Sequence, residues 1–185
     1  MQQRSSRSGF TLIETMVAIT ILMIAVIAPM TLTVRALQSA FYARDQIVAS
    51  NLAQEAIESI RSVRDGNVLI NAFGGSVNLL EGIPDTTGQS FRIDAQDNAM
   101  VLCSTDPGGQ CIPLQTNGEI FGYGSGWAPT RFYRTVTAQF VNGNPDEVRI
   151  AVTVRWQTGR FQERSFTISE NLYRWIEDGS AAATP

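Results

Sequence analysis

A run of 20 uncharged residues, 15–34, restricts the fold of this 185-residue chain more than any other feature. As an α-helix, such a run rises about 30 Å, which matches the hydrocarbon thickness of a bilayer. A secretory signal has a shorter apolar region followed by an Ala-x-Ala-like cleavage site, whereas here the first Ala-x-Ala lies at residues 181–183. The sequence therefore predicts a retained transmembrane helix and, after it, a domain of roughly 150 residues with its own core.

The residues before this run combine a basic leader with one acid inside the apolar segment. Arg4 and Arg7 lie among the first nine residues, and Glu14 follows Gly9 and Phe10. A charge at the bilayer centre costs about 3 kcal/mol, so an ordinary anchor would keep Glu14 at the membrane edge. The basic leader, Gly, Phe, Glu and apolar run occur here together and in order, which makes the pattern specific.

Residues 8–14, Ser-Gly-Phe-Thr-Leu-Ile-Glu, resemble the cleavage and methylation motif of type IV prepilins and type II secretion pseudopilins. The resemblance implies that a prepilin peptidase/N-methyltransferase cuts between Gly9 and Phe10 and methylates Phe10. It implies that Glu14 supports assembly with other pilin or pseudopilin subunits at an inner-membrane assembly platform. Pro29 lacks an N–H donor and is expected to kink or unwind the helix; in that family a nearby proline allows helix melting on assembly.

Apolar residues continue at helical spacing after the uncharged run and form a predicted stripe. The pattern predicts one helix over residues 11–64, ended by Asp65, Gly66 and Asn67. The members of the predicted stripe are Leu37, Phe41, Val48, Leu52, Ala56, Ile60 and Val63.

The C-terminal third predicts an antiparallel sheet. Apolar residues alternate with polar or small ones from Val148 to Trp156, as in a half-buried strand. Residues 131–141 and 161–168 are the predicted neighbours of this strand, joined to it by turns at Asn142-Gly143 and Thr158-Gly159. Shorter strands are expected at 91–93 and 100–102 within an otherwise loop-rich segment. Packing the helix stripe on the apolar face of the sheet gives an α+β, pilin-like fold.

This interpretation divides the chain into five parts, with the resemblance placing the leader in the cytoplasm. They are a cleaved leader over residues 1–9, a transmembrane half-helix over 10–34, an amphipathic half-helix over 35–65, an extracytoplasmic β-rich domain over 66–177 and a disordered tail over 178–185. The precursor is expected to be a single-pass inner-membrane protein that stays in the lipid bilayer until assembly into a pilus or pseudopilus.

Two cysteines, Cys103 and Cys111, flank the turn signal Asp-Pro-Gly-Gly at 106–109. A disulfide is predicted if the domain lies outside the cytoplasm, with two free thiols as the alternative. A loop of this length would stabilise the fold by roughly 2–3 kcal/mol in the chain-entropy treatment.

Three further patterns are weighed against ordinary structural roles. The glycine-rich segment FGYGSGW at 121–127 is followed by Ala-Pro and not by a helix start, so a flexible loop is favoured over a phosphate site. Asp94, Asp97 and Asp106 lack the spacing of a calcium-binding EF-hand and are expected in a solvated loop. Arg149 and Arg155 are expected on a solvated sheet face, with contact to a partner subunit as the main alternative.

The chain contains no His, the commonest general base and metal ligand. We therefore predict no enzyme, no catalytic residue, no metal and no cofactor, and the net charge of −3 favours no nucleic-acid partner. The expected function is a minor pilin subunit of a type IV pilus. The alternatives are a minor type II secretion pseudopilin, though not its outermost tip subunit, which characteristically lacks this acid, and a membrane-tethered binding domain that does not polymerise.

Overall fold

A computed structural model describes residues 9–78, 80–158 and 163–173, with only the backbone described at 145 and 146. Most of the predicted leader and all of the predicted tail lie outside these residues. The chain divides into two compact units, residues 1–44 and 45–185.

One long helix dominates the N-terminal part of the chain. Helix α1 spans Leu12–Ala72 and runs through Pro29 without interruption. Its residues up to Arg44 belong to the first unit, and its residues from Asp45 belong to the second. The predicted helix is thus confirmed as an element, but its predicted end is wrong by eight residues.

Two glycines just beyond Ala72 cap the C-terminal end of α1, and the sequence analysis did not identify them. Gly74 has φ of +88°, and the N–H groups of Gly74 and Gly75 donate to the carbonyls of Asn71 (3.1 Å) and Ile70 (2.9 Å). These two bonds form a Schellman cap, which glycine favours because it tolerates positive φ. Gly66, by contrast, lies inside the helix, where glycine costs stability but is tolerated.

A five-stranded antiparallel sheet forms the centre of the second unit. In chain order its strands are β1 (Thr87–Ile93), β2 (Met100–Leu102), β6 (Phe132–Val141), β7 (Asn144–Trp156) and β8 (Arg164–Tyr173), arranged as β2-β1-β6-β7-β8. A smaller three-stranded sheet contains β3 (Gln115–Thr116), β4 (Phe121–Gly122) and β5 (Ala128–Pro129).

The register of β7 agrees with the predicted alternation, since its apolar residues are buried and the residues between them are not. The β6–β7 turn at Asn142-Gly143 is also confirmed, with φ of 52° and 72° as a two-residue hairpin prefers.

Strand β8, the other neighbour of β7, begins at Arg164, later than predicted. β8 pairs Arg164 with Trp156, so the connection is longer than a tight turn at Thr158-Gly159 would allow. Residues 159–162 lie outside the described part.

One core joins the C-terminal part of α1 to the inner face of the large sheet. The buried helix positions are Asp45, Ala49, Leu52, Ala53, Ala56, Ile57, Ser59, Ile60 and Asn67. Leu37 and Phe41, at the start of the predicted stripe, belong to the first unit and are each 55% exposed. Within the second unit, the predicted stripe packs on the sheet from Val48 onward, which confirms the α+β architecture.

Candidate processing and assembly site

Gly9 and Phe10, the cleavage part of the N-terminal motif, lie immediately before α1, and Glu14 lies in its first turn. Gly9 and Phe10 are both exposed, Phe10 to 80%, and a Cβ added at Gly9 would meet nothing within 4 Å. The bond between them is therefore exposed, and no side chain at Gly9 covers the backbone.

Thr11 caps the helix that follows. Its Oγ1 accepts a hydrogen bond from the Glu14 N–H at 3.3 Å, and its carbonyl accepts the first helical bond, from the Thr15 N–H at 3.2 Å. Thr11 and Glu14 have the spacing of a capping box, with Glu14 in the first turn, where the helix dipole favours a negative charge. The sequence analysis missed Thr11, although the Thr-x-x-Glu pattern before an apolar run is a recognisable signal.

The apolar part of α1 is exposed along its whole length. All residues of 12–34 are exposed, and α1 contains a window long and apolar enough to cross a membrane by its length and composition. Hydroxyls in this segment bond to their own helix; for example, Thr33 Oγ1 donates to the Pro29 carbonyl at 2.9 Å. These contacts leave the apolar surface free for lipid or for other helices.

In the second unit, a buried arginine ties α1 to the sheet. Arg134, on the inner face of β6, is fully buried and donates to the carbonyls of Leu52 (3.1 Å) and Ile93 (2.6 Å) and to Glu55 Oε2 (2.9 Å). The sequence analysis missed it, although strand alternation with Phe132 would have placed Arg134 on the inner face.

A second missed charge, Asp45, opens the buried helix stripe. Only 1% exposed, it accepts hydrogen bonds from Arg131 Nη2 at 2.5 Å and from Thr158 Oγ1 at 2.7 Å. Because its partners lie directly before β6 and two residues after β7, Asp45 fixes the position of the helix against one end of the sheet.

The cysteine segment forms a closed loop around a buried carboxylate. Cys103 and Cys111 are paired in a disulfide, with Cα atoms 4.4 Å apart. Inside this loop, Asp106 accepts hydrogen bonds from Arg92 Nε at 2.9 Å and from the Ile112 N–H at 3.4 Å. The expectation of a solvated loop is therefore wrong for Asp106, which is 9% exposed, because an arginine on the neighbouring strand neutralises it.

Tyr123 packs beside this loop. The Arg92 guanidinium lies 4.5 Å from the centre of the Tyr123 ring. Burial raises the pKa of Tyr123 to about 12, although the positive charges of Arg134 and Arg92 act against that shift. Its hydroxyl is buried and has no hydrogen-bond partner in the described part of the chain.

The remaining candidates from the sequence have local roles. Asp94 accepts the Tyr123 N–H at 3.0 Å, and Asp97 accepts the Ala99 N–H at 2.9 Å. Among the described residues, no group of three potential protein ligands lies close enough to hold a metal ion.

The glycine-rich segment connects β4 to β5. A Cβ added at Gly124 would overlap the Trp127 indole, so the segment is tightly packed at that residue.

The predicted outer-face arginines of β7 differ in their surroundings. Arg149 Nε donates weakly to Asn171 Oδ1 at 3.4 Å, while Arg155 Nη1 pairs with Glu163 Oε1 at 3.0 Å. The Arg155 guanidinium also lies 5.8 Å from the centre of the Tyr133 ring. Within the part of the chain that the structure describes, Arg155 contacts both a carboxylate and an aromatic ring, and Arg149 does not.

Comparison with known proteins bears on the N-terminal segment. Residues 4–28 match the family model described as the prokaryotic N-terminal methylation motif. No curated protein and no solved structure matches the chain significantly. The matched segment contains Gly9, Phe10 and Glu14, and it extends into the exposed apolar part of α1. The N-terminal segment of the chain is thus similar to the methylation motif that type IV prepilins and pseudopilins carry.

Proposed function

We propose that this chain is a non-catalytic structural subunit, and a minor one, of a type IV pilus-like filament. The leader is removed between Gly9 and Phe10, Phe10 is methylated, and the chain is drawn from the inner membrane into the filament. The observation that carries this proposal is a methylation motif that starts before α1 and continues into its apolar part, which is exposed throughout. A surface of that kind needs lipid before assembly and other apolar helices after it.

The proposed division of labour follows the two units. Residues 10–34 serve first as the membrane span and then as the filament contact, with Pro29 the point where the helix melts on assembly. Residues 66–177 form the extracytoplasmic domain. An oxidising compartment there would keep Cys103 and Cys111 paired in a disulfide. A type II secretion pseudopilus is the competing assembly, because its subunits share the same motif.

Glu14 is the proposed assembly carboxylate. Cleavage creates an amine at Phe10, and a cation there offsets the cost of placing the Glu14 carboxylate in lipid. A pair between Glu14 of one subunit and the amine of a neighbour would fix the axial stagger between apolar helices, which otherwise have no preferred register.

Replacement of this acid tests the proposal. We expect Glu14→Gln and Glu14→Ala to be inserted and cleaved normally, with processing checked by mass, yet to be lost from sheared filaments and retained in membranes. Glu58→Gln is the matched control, because Glu58 is an exposed glutamate of α1 outside the apolar part, and it should enter filaments. Normal entry of Glu14→Gln would rule out the charge pair. Absence of the processed wild-type chain from every filament fraction would favour a tethered domain.

A further inference from the structure

A polar cavity of about 430 Å³ lies at one end of the large sheet, apart from the N-terminal segment proposed for processing and assembly. Gln110, Arg131, Tyr133, Arg155 and Glu163 contribute to its walls. This volume lies within the range of small-molecule sites, which is about 300–1,000 Å³. These residues include two guanidinium groups and one carboxylate, so the described lining is rich in hydrogen-bond donors.

The first guanidinium, that of Arg131, is held by a buried carboxylate. Arg131 Nη2 donates to Asp45 at 2.5 Å, and Thr158 Oγ1 occupies the other oxygen of Asp45 at 2.7 Å. The Arg131 side chain nevertheless remains 48% exposed. Its Nε and Nη1 atoms make no hydrogen bond with any described residue, which leaves donors with a fixed orientation and no acceptor.

The second guanidinium is held by a weaker partner. Arg155 Nη1 pairs with Glu163 at 3.0 Å, and the Glu163 side chain is 57% exposed. Tyr133 and Arg155 are directly opposed across β6 and β7. Arg131 lies directly before β6, and it lines the same cavity as Tyr133 and Arg155. Both arginines can therefore contact one ligand in that cavity.

We propose that this cavity binds a carboxylate group between Arg131 and Arg155. A guanidinium presents a planar fork of N–H donors that matches a carboxylate with two parallel hydrogen bonds. Glu163 pairs with one nitrogen of the Arg155 fork, and an exposed ion pair of this kind is weak. The ligand therefore competes with Glu163, while Asp45 keeps Arg131 in place. The carboxylate comes either from a free organic acid or from an acidic side chain of a polypeptide. This site is independent of the proposed filament function.

Isothermal titration of the full processed chain in detergent tests the proposal, with succinate as the first probe and succinamide as the uncharged control. We expect saturable binding of succinate that weakens about tenfold in Arg155→Gln, which loses the bidentate contact. Arg149→Gln removes the same charge from the same strand outside the cavity and should bind like wild type. Glu163→Gln removes the competing carboxylate and should bind more tightly.

The Arg149→Gln control separates binding in the cavity from a general effect of charge on the affinity for an anion. Equal weakening by Arg149→Gln and Arg155→Gln would show a general charge effect and overturn the site, as would weaker binding in Glu163→Gln. Absence of saturable binding for both succinate and a capped Gly-Glu-Gly peptide would also overturn it. Tighter binding of the peptide than of succinate identifies a polypeptide side chain as the source, and the reverse order identifies a free acid. Circular dichroism of Arg155→Gln checks that the fold is intact.

Discussion

Buried polar atoms without a hydrogen-bond partner lower the stability of the second unit. Tyr123 Oη, Arg134 Nε and Trp156 Nε1 are buried without a hydrogen-bond partner among the described residues. Each such group gives up hydration without replacement, which costs about 1–3 kcal/mol. Arg134 recovers this cost through its three other hydrogen bonds, whereas the Tyr123 hydroxyl recovers nothing of the kind.

Tyr123→Phe should consequently leave the fold as stable as wild type, or more stable, at neutral pH. Burial raises the pKa of Tyr123 from 10.0 to about 12. The folded state therefore keeps its full stability below pH 10 and loses it as the pH rises toward 12, because the unfolded chain releases the proton first. The variant removes that loss, which should amount to about 1 kcal/mol or more at the alkaline end. Urea unfolding at pH 7 and pH 11 measures both effects. The exposed Tyr133→Phe variant is the control, and an unchanged alkaline slope in Tyr123→Phe would contradict the assigned burial.

Adjacent residues of β7 test which face of the sheet meets the helix. Val152 is fully buried in the shared core, whereas Ala151 is on the opposite face and only partly buried. Val152→Asp should unfold the unit or destabilise it by about 4 kcal/mol or more, because it buries an unpaired charge. Ala151→Asp should change the stability by less than about 1 kcal/mol. Similar melting temperatures for the two variants would show that the register is wrong.

The secondary-structure elements show where sequence patterns suffice and where distant contacts intervene. The alternation in β7 and the Asn142-Gly143 turn were predictable because both depend on neighbouring residues. The end of α1 was not, since Asn67 is held inside the helix by the carbonyl of Glu81, 2.9 Å from its Nδ2. Asp45 likewise finds its partner Arg131 86 residues away, and no local pattern indicates that pairing.

The corrected end of α1 can be tested with two glycines. Gly66 is inside the helix with nothing within 4 Å of an added Cβ, so Gly66→Ala should stabilise the unit by about 0.5–1 kcal/mol. Gly74 has positive φ in the helix cap, so Gly74→Ala should destabilise it by about 1 kcal/mol. Chemical denaturation of both variants gives the comparison. The reverse order of stabilities would place the helix end at residues 65–67, as the sequence pattern predicted.

For the whole molecule, the N-terminal motif can be recognised from the sequence alone, because it consists of neighbouring residues and depends on no tertiary contact. Gly9, Phe10 and Glu14 are therefore recognisable from their order along the chain. The Arg131–Arg155 cavity cannot be recognised in this way, since its lining residues come from distant parts of the chain.

Processing also has a simple chemical signature in this chain. All basic side chains are Arg, so the amine at Phe10 would be the sole primary amine after cleavage, and methylation would make it secondary.

Intact mass spectrometry of the native chain, taken from membranes and from sheared filaments, tests the central proposal most directly. We predict one species that lacks residues 1–9 and carries one additional methyl group at Phe10, present in both fractions. A mass that retains the leader would contradict processing at Gly9, and a cut after residue 34 would show that the apolar segment is a removed signal and not the filament helix.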